Sequence, residues 1–222
     1  MIITLTPVRM DATLDASVSG NVLTLNGAMV DFGQLTDGDV LPGEAVSSEW
    51  VTGPVTRDGT DIKLTLIAPH GPNAGANARS GGTATIADNG DVMLPSWGAD
   101  APAPVSEVIT VDWTQMQSAA DIAAEQIAIA REGASLSKTD FAIALMGAGL
   151  ITSAEANAWL SSGTLPSAAS TALANIPTAQ RTEAELRFRG ANEIDRTNPL
   201  IAILASGASL TDAQVDALFG IA

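Results

Sequence analysis

Residues 49–71 read EWVTGPVTRDGTDIKLTLIAPHG, and this stretch decides the fold of the first half of the chain. Its centre, Asp58-Gly59, favours the left-handed backbone conformations of a two-residue hairpin turn. A turn there predicts three opposed pairs on one face: Val51 with Leu66, Gly53 with Leu64 and Val55 with Ile62. All of these residues except the glycine are apolar, so a slip of one residue would expose them to water. The pattern therefore predicts the register as well as the hairpin.

Pro54 lies on the other face of this hairpin, opposite Lys63. The predicted register puts it at a non-hydrogen-bonded pair, where its missing N–H points away from the partner strand. Proline is tolerated there, but it prevents a further strand from pairing at the same point. We therefore expect this strand to lie at the edge of its sheet.

Residues 16–31 predict a second antiparallel unit with two tight turns. Gly20-Asn21 and Asn26-Gly27 are both typical of two-residue hairpin turns. The pairs that follow are Val18 with Leu23, Ala16 with Leu25, Leu25 with Ala28 and Leu23 with Val30. Both turns put the same apolar residues on one face, which predicts a sheet with one buried side.

Residues 69–82 contain four glycines, two prolines and two asparagines, which indicate an exposed loop. Beyond this loop, Asn89-Gly90 predicts a last hairpin between residues 83–87 and 92–94. Asp88 and Asp91 would close that hairpin as two like charges. A weak cation site is one interpretation of this pair, but a solvated turn is favoured because no ordered series of further oxygen ligands follows.

Proline and alanine are frequent in residues 95–104, PSWGADAPAP, a composition typical of a linker. Residues 105–111 are a candidate last strand, after which the hydrophobic period changes from that of a strand to that of a helix. We therefore predict a β domain over 1–95, a linker with that strand over 96–113, and a helical domain over 114–222. The predicted fold class is α+β in two modules, an antiparallel β-sheet or small sandwich followed by a small helical bundle.

Capping sequences mark the helical half. Ser137, Thr152 and Thr211 each stand three positions before an acidic residue or a glutamine, a spacing that opens helices. We predict helices over 114–132, 137–146, 152–163, 166–174, 178–196, 199–205 and from 211 to near Gly220.

Two parts of this half resemble each other. Residues 152–160 match residues 211–219, which indicates two helix–turn–helix copies packed about a pseudo-twofold axis. The loops between their helices, 147–151 and 206–210, contain no carboxylate. The copies are therefore interpreted as packing units rather than calcium sites.

The composition restricts the function. The 222 residues include 25 acidic and 10 basic side chains, a formal charge of −15, and both halves share this acidic balance. We therefore expect no direct binding of nucleic acid along a basic face and no adhesion to an anionic membrane. No apolar stretch is long enough to span a bilayer, and the first residues do not match a secretory signal. We expect a protein without membrane insertion, made in a cytoplasm.

Residues suited to catalysis are few. The sequence has no cysteine and a single histidine, His70, which excludes disulfides, thiolate catalysis and a two-histidine metal site within one chain. A lone general base is one interpretation of His70, but a turn histidine is favoured because no nucleophile motif accompanies it. Ser47, Ser48 and Glu49 could in principle converge on His70, but the sequence contains no G-x-S-x-G or related hydrolase motif. We predict no catalytic residue, no cofactor and no metal ion.

Tryptophan marks the candidate interface. Trp50 is expected on the mixed outer face of its hairpin, and Trp97 lies in the predicted linker. Tryptophan buries a large area with few rotatable bonds and is therefore favoured at protein interfaces. The alternative, that both residues pin the linker onto the β domain, stays open. We predict a protein interface formed by Trp50 and Trp97 with His70, Asn73 and Arg79 of the 69–82 loop.

A series of short segments is spread over residues 1–75. They are Pro7-Val-Arg-Met-Asp11, Leu23-Thr-Leu-Asn-Gly27 with Asp31-Phe32, Leu41-Pro42, Ser48-Glu-Trp50 with Gly53-Pro54-Val55, and Leu64-Thr-Leu-Ile-Ala-Pro-His-Gly71. This pattern resembles a group of small proteins encoded among the tail genes of tailed bacteriophages and prophages. The helical part, with Gly149-Leu-Ile-Thr152 before an alanine-rich helix, also resembles a module common in phage proteins.

The resemblance implies a virion or assembly role near the tail, and it carries over no catalytic residue. Three interpretations follow: a structural tail protein at the tail tip or a fibre attachment, a tail-fibre assembly chaperone absent from the finished particle, and an enzyme such as a cell-wall hydrolase. The enzyme is the least favoured because hydrolase sites need paired carboxylates or a metal ion. We expect other tail proteins as partners, a homo-oligomer in a symmetric assembly, and a place in the virion tail after synthesis in the host cytoplasm.

Overall fold

The chain forms two compact units. A computed structural model describes residues 1–86, 88–174 and 176–221. The units are Met1–Ile122, called the β unit below, and Ala123–Ala222, called the helical unit. The β unit contains the two larger sheets, and the helical unit contains most of the helices. The predicted α+β fold class in two modules is confirmed.

The β unit is built from two sheets. Its described strands are β1 (Ile2–Arg9), β2 (Ala16–Ser19), β3 (Val22–Leu25), β4 (Ala28–Asp31), β5 (Val40–Leu41), β6 (Val51–Asp58), β7 (Asp61–His70), β8 (Gly82–Thr85) and β9 (Asn89–Asp91). The larger sheet has the order β5-β6-β7-β1-β8 and the smaller has the order β4-β3-β2-β9. The described strand pairs are antiparallel except that β1 pairs in parallel with β7 at the centre of the larger sheet.

One apolar core is shared by the two sheets. It includes Ile3 and Leu66 from the larger sheet and Leu23 and Leu25 from the smaller, all fully buried. Alternate residues of β1, β2, β3 and β7 therefore face inward, as in a small sandwich. Burying a side chain of this size contributes roughly 1.5–3 kcal/mol relative to exposure.

The meander β2-β3-β4 has the predicted register. Val18 pairs with Leu23 and Leu25 pairs with Ala28, as the turn positions require. Asn26 and Gly27 have φ values of 48° and 84°, the left-handed conformations of the tight turn that this dipeptide favours. Turn chemistry and the apolar alternation agree here, so the prediction is confirmed residue by residue.

The β6-β7 hairpin forms, but the predicted turn position is wrong. Asp58 pairs with Asp61, which makes Gly59-Thr60 the turn, and Gly59 has a φ of 61°. The predicted pairing of Val51 with Leu66 is nevertheless present. A bulge between Thr52 and Thr56 shifts the register between these two pairs. The hydrophobic pattern did not predict this bulge.

The bulge has a local cause at Gly53. This residue has a φ of 71°, which side chains rarely tolerate. The backbone of Gly43 approaches it so closely that a Cβ on Gly43 would overlap the Gly53 carbonyl group. Pro54 is exposed within the bulge, and β5 pairs beyond it with Val55 and Thr56. The prediction that this strand lies at the edge of its sheet is therefore wrong, because β5 is the outer strand, although β5 is too short to cover Pro54.

The predicted last hairpin is wrong. β8 pairs with β1 in the larger sheet, whereas β9 pairs with β2 in the smaller sheet. The chain crosses from one sheet to the other between these strands, and Ala87 lies outside the described residues. Asp88 and Asp91 do not close a hairpin, because Asp88 directly precedes β9 and Asp91 is the last residue of that strand.

The segment that follows the expected linker packs along the β unit. Val111 forms a bridge with Val46, and Gln117 forms one with Val40. The amide of Ser47 also donates a hydrogen bond of 2.9 Å to the carbonyl of Thr110. Residues 105–111 therefore form no strand, contrary to the candidate assignment, although residues 110, 111 and 117 bond singly to residues 40–47. The division between the units falls after Ile122.

The helical unit alternates helices with two short strands. Its elements, with the helix that leads into it, are α1 (Ala119–Gly133), β10 (Ser135–Ser137), α2 (Lys138–Gly147), α3 (Ser153–Ser162), α4 (Ser167–Ala174), α5 (Thr178–Gly190), β11 (Glu193–Asp195), α6 (Pro199–Gly207) and α7 (Asp212–Leu218). None of the helices in the described ranges is long and apolar enough to cross a membrane.

Two predicted helix bounds are wrong. The helix expected over 178–196 ends at Gly190, because residues 193–195 form β11 and pair antiparallel with β10. Ile194 is thereby buried opposite Leu136. The helix expected from 114 begins at Ala119, because Gln117 is paired with the β unit. In both cases a long-range strand pairing overrides local helix propensity.

The predicted caps are confirmed. Thr152 and Thr211 form complete capping boxes with Glu155 and Gln214, and the Ser137 side chain caps α2. Each box satisfies two of the amide donors that a helix leaves unpaired at its start. Gly163 ends α3 in the left-handed conformation, with a φ of 71°.

Aromatic packing forms the centre of the helical unit. Trp159 on α3 is fully buried and stacks on Phe188 of α5, with ring centroids 4.8 Å apart. Phe141 on α2 meets Trp159 edge-on at 6.4 Å and also contacts Phe219. These contacts join both helix–turn–helix copies in one core.

Candidate protein interface

Trp50 does not lie on an outer face, contrary to the prediction. Its side chain is 2% exposed and belongs to the apolar core of the β unit. β6 begins only at Val51, so the alternation of the hairpin does not extend to Trp50. Its carbonyl accepts a hydrogen bond from Ile67, and its amide donates one to the Ser48 hydroxyl. Trp50 is therefore a core residue.

Trp97 holds the predicted linker, residues 95–104, against Ala12 and Gly71 of the β unit. Its ring and carbonyl lie against Gly71, where a Cβ would come within 2.8 Å of both. The indole N–H donates to the carbonyl of Ala12 at 2.9 Å, and the Trp97 carbonyl accepts from the Gly71 amide at 2.9 Å. These contacts support the pinning interpretation for Trp97, which remains half-exposed.

The loop after β7 is folded rather than extended. Residues Ala76–Arg79 form a single 3₁₀ turn, and Ala74 and Ala78 are buried beneath it. The turn packs against β1 and β7. Asn73 and Arg79 stay exposed, and Arg79 makes one long hydrogen bond of 3.4 Å to the Pro72 carbonyl. The loop therefore presents both side chains from a backbone that is held in place.

Arg9 joins the predicted loop residues, and sequence reasoning missed it. The parallel pairing of β1 with β7 puts Arg9 opposite His70, and the Met10 amide donates to the His70 carbonyl at 3.2 Å. The Arg9 side chain is 57% exposed and contacts Asp11 at 3.2 Å. The sequence could have indicated Arg9 as an interface residue only if the parallel pairing of β1 with β7 had been known.

Arg9, His70, Asn73 and Arg79 together form what we call the basic end of the β unit. They lie where β1 and β7 finish, or in the loop that packs against these strands. The β unit has 15 acidic and four basic residues, and two of the four basic residues are in this group. The other two are engaged elsewhere, Lys63 with Asp58 and Arg57 with the carbonyls of Leu35 and Gly59. The basic end therefore differs in charge from the rest of an acidic unit.

The hydroxyl groups near β6 do not converge on His70. Ser48 donates to Glu107 at 2.5 Å, and Ser47 bonds to Thr110. The Nδ1 atom of His70 lies 3.1 Å from the Gly71 carbonyl oxygen, the next residue along the chain. This geometry is that of a histidine in a turn, the interpretation favoured from the sequence.

The helical unit buries an ionic cluster instead. Asp216 on α7 is 6% exposed and accepts hydrogen bonds from two arginines. Arg131 of α1 binds both of its carboxylate oxygens, the shortest contact being 2.6 Å, and Arg196 donates from Nε at 2.7 Å. The hydrogen bond from Arg131, opposed by desolvation and helped by Arg196, lowers the pKa of Asp216. Asp212 accepts a further bond from Arg196 at 3.2 Å.

The remaining cations of the helical unit also have partners within it. The contacts are Lys138 Nζ to the Arg189 carbonyl (2.8 Å), Arg181 Nη2 to the Ala174 carbonyl (2.7 Å), Arg187 to Glu183 (2.6 Å) and Arg189 to Glu185 (3.9 Å). The last two are exposed pairs on one helix, worth about 0.3–0.5 kcal/mol each.

Glu155 joins the starts of two helices. Its carboxylate accepts from the hydroxyl and amide of Ser167 at 2.6 and 3.0 Å, and from the Thr152 amide at 2.9 Å. These hydrogen bonds, that from the Ser167 hydroxyl first, lower the pKa of Glu155 to about 2. A carboxylate held in this way serves the capping of α3 and α4.

The described residues contain no cluster of three or more His, Cys, Asp or Glu side chains placed to hold a metal ion.

A cavity of about 50 Å³ lies between α2, α4, α6 and α7, lined by apolar side chains such as Phe141, Leu204 and Val215. No protein-family model matches the chain, and comparison with curated proteins and with solved structures finds no significant match.

Proposed function

We propose that this protein is a structural component of a bacteriophage tail, at the tail tip or at a fibre attachment, and that it acts by binding other tail proteins. The observation that carries the proposal is the resemblance of segments across residues 1–75 to small phage tail proteins. Three of these segments fall on β1, β6 and β7 of the larger sheet. The resemblance is therefore concentrated in strands that form the scaffold of the β unit.

The basic end is the surface that we assign to docking. Arg9 and Arg79 are exposed, and their contacts, one to Asp11 and one long bond to a carbonyl, are of the weak surface kind. Arginine is enriched at protein interfaces because its planar head binds carboxylates in two places while its stem packs on apolar groups. An acidic surface on a neighbouring tail protein is the partner that fits this group.

A symmetric assembly would use this surface repeatedly. Rings and trimers present equivalent sites to equivalent copies, so one modest surface is multiplied by the copy number. We propose that the protein is present as a homo-oligomer within such an assembly, in the tail of the virion. A small docking surface is sufficient there, because each contact is strengthened by its symmetric neighbours.

The second candidate function is that of a tail-fibre assembly chaperone. Exposed apolar side chains on the helical unit favour it, since Ile129, Ile143 and Leu186 are each more than half exposed. Scattered apolar residues of this kind suit transient contacts with an incompletely folded partner. A chaperone would act during assembly and then leave the particle.

Quantitative mass spectrometry of purified virions separates these functions. We expect the wild-type protein in particles at a fixed whole-number stoichiometry relative to the major tail protein. The lysate of the same infected cells, depleted of particles, is the control. Presence in that lysate together with absence from particles would contradict the structural function and favour the chaperone.

A further inference from the structure

β8 is an outer strand of the larger sheet, with β1 as its neighbour on one side. Three of its four residues, Gly82, Thr83 and Thr85, are exposed. An edge strand presents unpaired N–H and C=O groups that are able to pair with another chain. The outer edge of β8 is therefore a candidate site for an additional strand.

The pairing of β8 with β1 shows which backbone groups face outward. The Ile86 amide donates to the Met1 carbonyl at 2.8 Å, and Ala84 is paired with Ile3. Antiparallel neighbours exchange hydrogen bonds at alternate residues, so Ala84 and Ile86 direct their backbone groups toward β1. Thr83 and Thr85 consequently direct their N–H and C=O groups away from the sheet.

Within the described ranges, no other strand of the chain pairs with this edge. The sequence predicted that residues 92–94 would pair with β8, but β9 joins β2 and the Val92 amide donates to the Ala16 carbonyl. The other outer strands are better protected, since β5 has only two residues and β4 and β9 each end in an aspartate. β8, with the sequence Gly-Thr-Ala-Thr, contains no charged residue and no proline.

A groove of about 380 Å³ runs beside this edge. Its lining includes Leu5 and Ile86 as well as the backbone of β8, with Met93 and Pro95 also contributing. Met93 is 83% exposed, so its side chain is available to a segment in the groove. Neighbouring strands lie about 4.8 Å apart. A single extended segment that pairs with β8 would also place side chains against Met93 and Pro95.

The charges at the two ends of β8 are opposite. Arg79 stands three residues before the strand and Asp88 three residues after it, and both are exposed. An antiparallel segment would bring its first residues toward Asp88 and its last residues toward Arg79. A basic residue at its start and an acidic residue at its end would match both charges.

We propose that the outer edge of β8 binds an extended segment of a partner protein by β-strand addition. The segment runs antiparallel to β8, begins with a basic residue, ends with an acidic one and places apolar side chains against Leu5 and Met93. Thr83 and Thr85 supply the outward backbone hydrogen bonds. This surface stands on its own geometry and is independent of whether the protein belongs to a phage tail.

A synthetic peptide tests the proposal on the full chain. The probe is acetyl-Lys-Thr-Val-Thr-Val-Glu-amide, and the readout is amide hydrogen exchange followed by NMR. Saturating peptide should slow exchange at Thr83 and Thr85 by at least about tenfold, because both amides become hydrogen-bonded. Ala84 is the internal reference, since its amide already faces β1 and its exchange should change little.

Two matched controls isolate strand addition. Thr85→Pro removes one outward N–H at a position where the isolated sheet makes no use of it, and should weaken peptide binding about tenfold relative to Thr85→Ala. A peptide with the Lys and Glu exchanged should bind more weakly than the probe, because its ends repel Arg79 and Asp88.

Three results would overturn the proposal. The first is unchanged exchange at Thr83 and Thr85 in millimolar peptide. The second is protection at the edge of β4 or β5 in place of β8. The third is protection of Thr83 and Thr85 without peptide as the protein concentration rises, which would make a second copy the occupant.

Discussion

The two units use their cations differently. In the helical unit, Arg131 and Arg196 enclose the buried Asp216, and the exposed Arg187 and Arg189 each face a glutamate of their own helix. In the β unit, Arg9 and Arg79 lie exposed at the basic end. Cations committed to internal contacts stabilise a fold, whereas exposed cations are available to a partner. This difference is one reason for proposing that the docking surface lies on the β unit.

The largest effect is expected from Asp216→Asn in the helical unit. The substitution leaves the buried Arg196 with only the exposed carboxylate of Asp212 as an anionic partner, and breaking a buried ion pair typically costs about 3–5 kcal/mol. Urea unfolding followed by far-UV circular dichroism, which reports the loss of helix, measures the effect. Glu183→Gln is the control, because it breaks an exposed pair on α5 and should cost less than about 0.5 kcal/mol. Equal losses in the two variants would show that the cluster does not stabilise the unit.

Acid should weaken the helical unit through the same carboxylate. The hydrogen bond from Arg131 lowers the pKa of Asp216 in the folded protein. The stabilisation is therefore complete above the unfolded pKa of about 3.9, and it is lost as the pH falls through the lower, folded pKa. Urea midpoints measured from pH 5 to pH 2 should fall more steeply for the wild type than for Asp216→Asn. Parallel slopes would contradict this.

A smaller loss of stability is expected in the β unit, from a substitution that disturbs the backbone conformation of Gly59. Gly59→Val forces a β-branched residue into a φ of 61° and should cost roughly 1–2 kcal/mol. The matched control is Gly133→Val, since a Cβ at Gly133 meets no described atom within 4 Å. Thermal unfolding should give Gly59→Val a melting temperature lower by several degrees. Equal melting temperatures would mean that the β6-β7 turn does not depend on this glycine.

Local signals account for what the sequence predicted. The register predicted for β2, β3 and β4 is confirmed because Asn26-Gly27 favours a tight turn and the residues on both sides alternate between apolar and polar. The caps of α2, α3 and α7 were correct because a cap acts within one helical turn.

Long-range contacts account for what the sequence did not predict. The bulge at Gly53 depends on Gly43, and the end of α5 depends on β10, far away in the chain. The burial of Trp50 follows from the core that covers the start of β6. Arg9 entered the candidate interface only through the parallel pairing of β1 with β7. A hydrophobic pattern contains no information about such neighbours.

The copy number of charge-reversed variants in virions tests the central claim most directly. Arg9→Glu with Arg79→Glu alters the basic end, and Arg187→Glu with Arg189→Glu applies the same change of charge to exposed residues of α5. Both proteins should keep nearly wild-type unfolding temperatures, since surface substitutions usually act within about 0.5 kcal/mol. We predict that particles contain the α5 variant at the wild-type copy number and lack the basic-end variant. Normal copy numbers for the basic-end variant would contradict the account.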